Sequence, residues 1–359
     1  MGEAVLGILA NPMSGRDIRR LVARASVFPT AEKANMVQRV LTAAGTVGVE
    51  RVLVSTDVGG ISAAVLRALD AQHAATRPGL DPPWPQIEFV GPRVHTQTAA
   101  DSVETVHRMR DAGARVIVCL GGDGTARVAA GACGDVPLLP LSTGTNNAFP
   151  RMREATVAGL AAALVAVDAV PADVGTRRAT TLLVEVAGRV ENALVDVCVS
   201  RSRDVGARAL WDPDALGQLF CTFAEPDGIG LSSIAGLLCP SPRDEPRGVM
   251  LTLCPPERAP HVVIAPIAPG LVLPVGVRSW RPMAVGESVT VHAQAGVVAV
   301  DGEREIEFTA ADPPVVRLSR DGPRCVDVAA VLAEAARSGL MRRDPGPDPP
   351  EPAEPADPG

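Results

Sequence analysis

The sequence predicts an α/β domain built on a mostly parallel sheet, followed by a β-rich antiparallel domain. Three observations carry this. The first half alternates short apolar runs with helix-patterned stretches, the signature of βαβ units. After about Ala169 the chain breaks into short β-type runs separated by turn residues, which favours antiparallel strands. Three turns rich in Gly, Ser, Thr and Asn each follow a strand candidate of the first half. A parallel sheet gathers such turns along its carboxyl edge, where open α/β sheets bind ligands.

The first domain, 1–168, is justified element by element. Residues 5–10 (VLGILA) and 51–55 (RVLVS) are apolar and short enough for buried strands. Residues 31–44 and 61–74 carry helical patterning, and 76–85 (TRPGLDPPWP) reads as a surface loop. A strand at 87–90 leads into a helix over 99–112, where Val103, Val106 and Met109 recur at helical spacing as a core stripe. Strands follow at 115–120 and 137–141, and an Ala-rich helix over 156–167 leads to the crossing between domains. The second domain, 169–327, offers strands at 182–186, 194–199, 249–253, 261–264, 288–291, 297–300 and 315–318. A helical insert is expected at 207–210 and 213–223. The segment 328–343 carries a final helix, over 328–337, that packs back on the first domain. Residues 344–359 alternate proline with acids and form a disordered tail.

The turns carry the chemistry. Gly121-Gly122-Asp123-Gly124-Thr125 lies between the strand at 115–120 and a helix-permissive stretch. Strand, glycine turn and helix start is where α/β proteins hold phosphate, and glycine lets backbone N–H groups close on an anion. Asp123 is a poor neighbour for phosphate unless a cation or a reacting hydroxyl sits beside it. That places it for Mg²⁺ or for taking a proton from an acceptor alcohol. The other reading of these five residues is a Gly-rich turn with a helix-capping Asp. Ser142-Thr143-Gly144-Thr145-Asn146-Asn147 packs hydroxyls, a glycine and two amides after the strand at 137–141. Asn11-Pro12-Met13-Ser14-Gly15-Arg16 forms the turn after 5–10, with Arg16 in reach of phosphate.

These stretches resemble the superfamily of NAD kinases and diacylglycerol/sphingosine-type lipid kinases, whose hallmark is GGDGT after a strand, followed by a Gly/Thr/Asn-rich loop. The match runs to the ATP-NAD kinase branch called AcoX-type. It is carried by 8–21 (ILANPMSGRDIRRL), 120–125, 141–150 (LSTGTNNAFP), 193–197 (ALVDV), 265–271 (APIAPGL) and 300–306 (VDGEREI). The resemblance implies a NAD kinase-like two-domain architecture with the active site between the domains, ATP and Mg²⁺ as cofactors, and a homo-oligomer. It implies that Asp123 acts near the acceptor 2′-hydroxyl of the NAD ribose. Asp301, in Asp301-Gly302-Glu303, is a second candidate for the catalytic base. Asn11, Ser14, Gly15, Gly121, Gly122, Gly124, Thr125, Thr143, Gly144, Thr145, Asn146, Asn147 and Asp196 are the implied nucleotide and phosphate ligands. NAD kinases carry Ala-Leu-Asn-Glu where this chain has Ala193-Leu194-Val195-Asp196. The acid survives, but valine offers no hydrogen bond to a base or ribose.

Composition narrows the function further. The chain has 359 residues and is 47% hydrophobic, enough for two cores. Its formal charge of −7 falls to −2 for residues 1–343 once the five tail acids are set aside, so no basic face of nucleic-acid type is expected. Lys33 is the only lysine. That excludes a P-loop and a protein-kinase strand lysine, and it leaves Mg²⁺, backbone N–H groups and arginine to neutralise phosphate. A Schiff base would need Lys33, expected on a surface helix. Seven cysteines without a Cys-x-x-Cys pair point to a reducing cytoplasm. No apolar stretch reaches the length of a bilayer span, so no membrane partner is expected. Five scattered histidines make zinc an unsuitable expectation, and no metal-ligand set is assigned. The expected activity is ATP-dependent phosphorylation of a ribose hydroxyl of NAD, giving NADP. The alternatives are a kinase for another small alcohol or a lipid, and a non-catalytic nucleotide sensor.

Overall fold

A computed structural model describes residues 3–14, 23–75, 84–200 and 216–342. Gly15, Arg16, most of the expected loop at 76–85, the expected helix at 207–210 and the tail at 344–359 lie outside the described residues.

In chain order the first domain runs β1 (Val5–Ala10), α1 (Thr30–Val47), β2 (Arg51–Ser55), α2 (Ile61–Ala75), β3 (Gln86–Val90), α3 (Ala99–Asp111), β4 (Val116–Gly121), α4 (Asp123–Ala132), β5 (Leu138–Ser142) and α5 (Ala155–Ala166). The second half contributes α6 (Ala172–Gly175), β6 (Thr176–Arg178), β7 (Thr181–Val186), β8 (Arg189–Ala193), β9 (Asp196–Ser200), β10 (Leu216–Cys221), α7 (Ser232–Gly236), β11 (Arg247–Cys254), β12 (His261–Ala268), β13 (Leu271–Ala284), β14 (Ser288–Thr290), β15 (Ala295–Val300), β16 (Glu303–Thr309), β17 (Val315–Ser319), β18 (Arg324–Val326) and α8 (Val328–Arg337).

The first sheet has the order β3-β2-β1-β4-β5-β18-β6, and its first five strands are all parallel. Residues alternate between its two faces as the pleat requires. Leu6, Ile8, Val116 and Val118 enter one core with α1 and α5, while Val5, Leu9, Ile117 and Cys119 enter the other with α3 and α4. Val106 and Met109 are fully buried there, with Val103 packed alongside, as the helical stripe predicts. The strand order reverses between β1 and β4. Their following helices therefore leave on opposite faces, and a crevice opens at their carboxyl ends.

Two later strands complete this sheet. β18 joins β5 through Cys325 and Leu138, and β6 pairs antiparallel to β18. α8 sets Val328, Val331 and Ala335 into the core beside α5.

The rest of the chain forms an antiparallel seven-stranded sheet, β12-β13-β11-β10-β9-β15-β16, and a four-stranded one, β14-β17-β7-β8. Leu182, Val184, Phe220, Val298 and Leu318 fill one cluster between the two sheets. No helix among the described residues is long and apolar enough to cross a membrane.

Two expectations are corrected. Residues 216–221, expected within a helical insert, form strand β10. Leu216 and Leu219 share one core at a helix-like spacing because a bulge between Leu216 and Gln218 shifts the register by a residue. Lys33, expected on a surface helix, is only 1% exposed.

Candidate active site

A cavity of about 1010 Å³ opens at the carboxyl ends of β1, β2 and β4. Its floor is the glycine turn. Gly122 caps α4 in an extended conformation, so Asp123 becomes the first helical residue and Thr125 lies in the first turn. Neither Gly121 nor Gly122 accepts a side chain unless a neighbour moves. A Cβ on Gly121 would lie 2.5 Å from Thr125 Cβ, and one on Gly122 would lie 2.6 Å from Asn147 Oδ1.

The three turns are sewn together. Asn11 Nδ2 donates to Thr125 Oγ1 at 2.9 Å, and Asn11 N donates to the Leu120 carbonyl at 3.1 Å. Ser14 Oγ lies 2.8 Å from Thr143 Oγ1. Asn147 Nδ2 donates to Ser142 Oγ at 2.7 Å. Beneath them, Lys33 extends from α1 and donates to the Asn11 and Pro12 carbonyls at 3.1 Å, the Ser14 carbonyl at 3.3 Å and Ser14 Oγ at 2.8 Å. A buried ammonium requires such a set of oxygens. The lysine braces the first turn and does not line the cavity.

Asp123 is held from the opposite loop. Its Oδ1 accepts from the Ala148 N–H at 3.0 Å and the Phe149 N–H at 2.8 Å, and its Oδ2 accepts from Ala148 at 3.1 Å. Asp301 occupies a two-residue hairpin turn between β15 and β16, where Asp301 and Gly302 take φ of 50° and 77°. Positive φ at both central residues is what a type I′ turn needs. The turn buries the Asp301 carboxyl, which accepts N–H bonds from Leu194 at 3.2 Å, Val195 at 2.8 Å and Asp196 at 3.2 Å. Burial pushes this carboxyl up to about 7, with Asp123 adding to the rise while the Val195 and Leu194 N–H groups and Arg127 oppose it.

Arg127, four residues beyond Asp123 on α4, lines the cavity. Its guanidinium lies 3.7 Å from Asp301 Oδ2 and 3.8 Å from Glu191 Oε2. Glu191, Asn192 and Glu303 bring the second domain to the cavity wall. On the far side, His95 Nε2 lies 3.2 Å from Thr56 Oγ1, and its Nδ1 lies 3.8 Å from Asp101 Oδ2. Hydrogen bonding from Thr96 holds the Asp101 carboxyl below its usual range.

The structure thus brings Asn11, Ser14, Gly122, Asp123, Gly124, Thr125, Gly144, Asn146 and Asn147 to one cavity. Gly121 and Thr143 lie just behind it, joined by the Thr143 N–H to the Gly121 carbonyl at 3.2 Å. Thr145 faces Ser26, whose N–H donates to its hydroxyl at 2.9 Å. Asp196 is not brought to the cavity. It is buried, and its carbonyl accepts from the Asp301 N–H at 2.9 Å. Val195 packs with Ala126, Phe149, Leu194 and Phe223 and offers Asp301 its N–H alone. Sequence reasoning missed Arg127, Lys33, Thr56, His95, Glu191 and Glu303. Arg127 was findable, because a helical residue four beyond Asp123 shares its face.

Two family models match the chain. The ATP-NAD kinase N-terminal domain matches residues 6–169, and the acetoin catabolism protein X C-terminal domain matches residues 180–321. The chain is also 42% identical over 348 residues to acetoin catabolism protein X of Cupriavidus necator, a match spanning 96% of this chain and 95% of that protein.

Proposed function

The chain belongs to the acetoin catabolism protein X branch of the ATP-NAD kinase family, and from that premise we propose that it is an ATP-dependent, NAD kinase-like phosphotransferase that phosphorylates a ribose hydroxyl of NAD to give NADP. The observation that supports this most directly is the Asp123 carboxylate, fixed by two backbone N–H groups on the floor of the cavity.

The residues present fit ATP and its metal. Gly121 and Gly122 bring the backbone of the turn close to Thr125 and Asn147, and the Thr125 hydroxyl and the Asn11 and Asn147 amides surround it. Among the described residues no group of three or more His, Cys, Asp or Glu side chains is arranged to hold a metal alone. Mg²⁺ commonly keeps its waters and binds through phosphates, so it would be held here mainly by ATP, with Asp123 near enough to meet one of its waters. When bound, the metal neutralises charge on the transferring phosphoryl group.

The chain's own residues then position and deprotonate. The acceptor oxygen bonds to phosphorus, the bond to the leaving ADP oxygen breaks, and Asp123 takes the hydroxyl proton. Arg127 faces the same space and adds positive charge where the phosphoryl oxygens gather. Asp301, the other expected base, is buried behind Arg127 and does not line the cavity, so it acts on the site through that pair.

NADP formation from NAD, ATP and Mg²⁺ tests this, with Asp123→Asn as the control. The variant is expected to lose about 10²-fold or more in turnover, the scale of a lost general base. Wild-type turnover in the variant removes the role.

The burial of Val195 favours a second reading, a kinase for another alcohol, because that position presents no amide to a base or ribose. A panel of alcohols with labelled ATP decides between them. Phosphate appearing on NAD alone ends the second reading.

A further inference from the structure

The loop that holds Asp123 is itself held from the second domain. Ala224 and Ser241 exchange both backbone hydrogen bonds, at 2.7 and 2.8 Å. This bridge sets Glu225 and Arg243 side by side. Arg243 donates to both Glu225 oxygens, at 2.9 Å from Nε and 2.7 Å from Nη2, a bidentate pair that fixes the plane of the guanidinium. The Phe223 ring lies beneath it, 4.3 Å from centroid to guanidinium carbon. Burial alone pushes the Glu225 carboxyl up, but hydrogen bonding and charge from Arg243, with Arg151 nearby, bring it below its usual range.

So oriented, the guanidinium reaches into the first domain. Nη2 donates to the Ala148 carbonyl and Nη1 to the Phe149 carbonyl, both at 3.0 Å. The Ala148 carbonyl and the Phe149 N–H belong to one peptide group. That N–H donates to Asp123 Oδ1 at 2.8 Å. A single amide therefore connects a cation at its oxygen end to a carboxylate at its hydrogen end. Hydrogen bonds linked in this way polarise and strengthen one another.

We propose that Arg243 is a positioning residue for Asp123, acting from the second domain through the Ala148–Phe149 peptide. Arg243 need not touch substrate to do this. It fixes the amides that aim the Asp123 carboxylate, and it draws electron density from them so that they grip that carboxylate harder. The arrangement makes the geometry of the first domain's acid depend on the seating of the second domain. The proposal rests on the reading of Asp123 as the reacting acid.

The first test needs no substrate. Protein labelled with ¹⁵N-phenylalanine gives six amide resonances, and Phe149 is assigned by Phe149→Leu. Arg243→Gln is expected to move the Phe149 N–H upfield, in the same direction as Asp123→Asn, while Phe28, Phe89 and Phe308 stay in place as a folding control. Arg243→Lys keeps the charge but cannot serve two carbonyls and Glu225 together, so it falls between. A Phe149 resonance unmoved by Arg243→Gln or Arg243→Lys overturns the proposal. If Arg243→Gln shifts every phenylalanine, the fold is lost and Arg243→Lys decides.

Turnover with NAD, ATP and Mg²⁺ adds a second readout. Arg243→Gln is expected to lower kcat more than the KM for ATP, and its cost should vanish in an Asp123→Asn background. An equal cost in both backgrounds assigns Arg243 a structural role and sinks the idea. Unchanged turnover in Asp123→Asn alone defeats the reading of Asp123 instead, and the amide result stands apart from it.

Discussion

Lys33 Nζ lies 2.8 Å from Ser14 Oγ, and the same ammonium takes the carbonyls of Asn11, Pro12 and Ser14. The first turn of the cavity is therefore braced from behind by the single lysine of the chain.

Replacing Lys33 with Met removes the donor to the Pro12 and Ser14 carbonyls, while the Asn11 carbonyl keeps the Ser14 hydroxyl. The expected loss is about 3 kcal/mol, the upper part of the range for stranded buried acceptors. A chemical-denaturation midpoint reads it directly, and an unchanged midpoint contradicts the brace.

Gly122→Ala drives a methyl group against Asn147 Oδ1. Asn147 must then release Ser142 Oγ or Gly144 O, which its amide holds at 2.7 and 3.3 Å. Overpacking of this kind costs about 1–3 kcal/mol. ATP affinity by calorimetry is expected to fall about tenfold, the equivalent of about 1.4 kcal/mol. Full affinity in the variant shows that the turn does not hold the nucleotide.

Asp301 gives the protein a pH-dependent stability. Its carboxyl is raised from 3.8 to about 7, so the folded state binds this proton more tightly than the unfolded chain does. The stabilisation is complete below the unfolded value and is lost as pH rises through about 7. Melting temperatures should therefore decline across that window in the wild type. The decline should be shallower in Asp301→Asn, whose amide keeps an acceptor and tolerates positive φ. Parallel profiles for the two proteins would remove Asp301 as the source.

Chelation by EDTA is expected to abolish turnover, because phosphoryl transfer needs the metal's charge. It should leave the nucleotide-free melting temperature unchanged, since no described set of three ligating side chains holds a metal alone. A melting temperature lowered by EDTA would reveal a resident ion.

The middle of the first sheet was legible because β1, β2, β4 and β5 are largely buried and read as apolar runs, whereas β6 and β18 are three residues each and carry no such run. The observed β1 and β2 span the residues expected of them. The turns were legible because glycine, hydroxyl and amide residues cluster directly after those runs. β13 was not, because Pro274, Gly276 and Pro282 interrupt a strand that runs from Leu271 to Ala284. Burial of Lys33 was hidden because its partners are mainly backbone carbonyls, which carry no sequence signal. The Arg243 contact escaped for the same reason. It joins a side chain to carbonyls 94 and 95 residues away.

The pairing of β18 with β5, and the seat of α8 beside α5, also bear on how the protein is made. Translation delivers domains from the N-terminus onward, and each usually folds as it emerges. Here the half that carries most of the cavity waits for some of the last described residues to leave the ribosome. Until then the outer edge of β5 is an open template, the kind of surface that recruits stray strands. A ribosome stalled anywhere before residue 324 would release a chain whose first sheet lacks its last two strands, and such fragments are expected to need chaperones that complete chains do not.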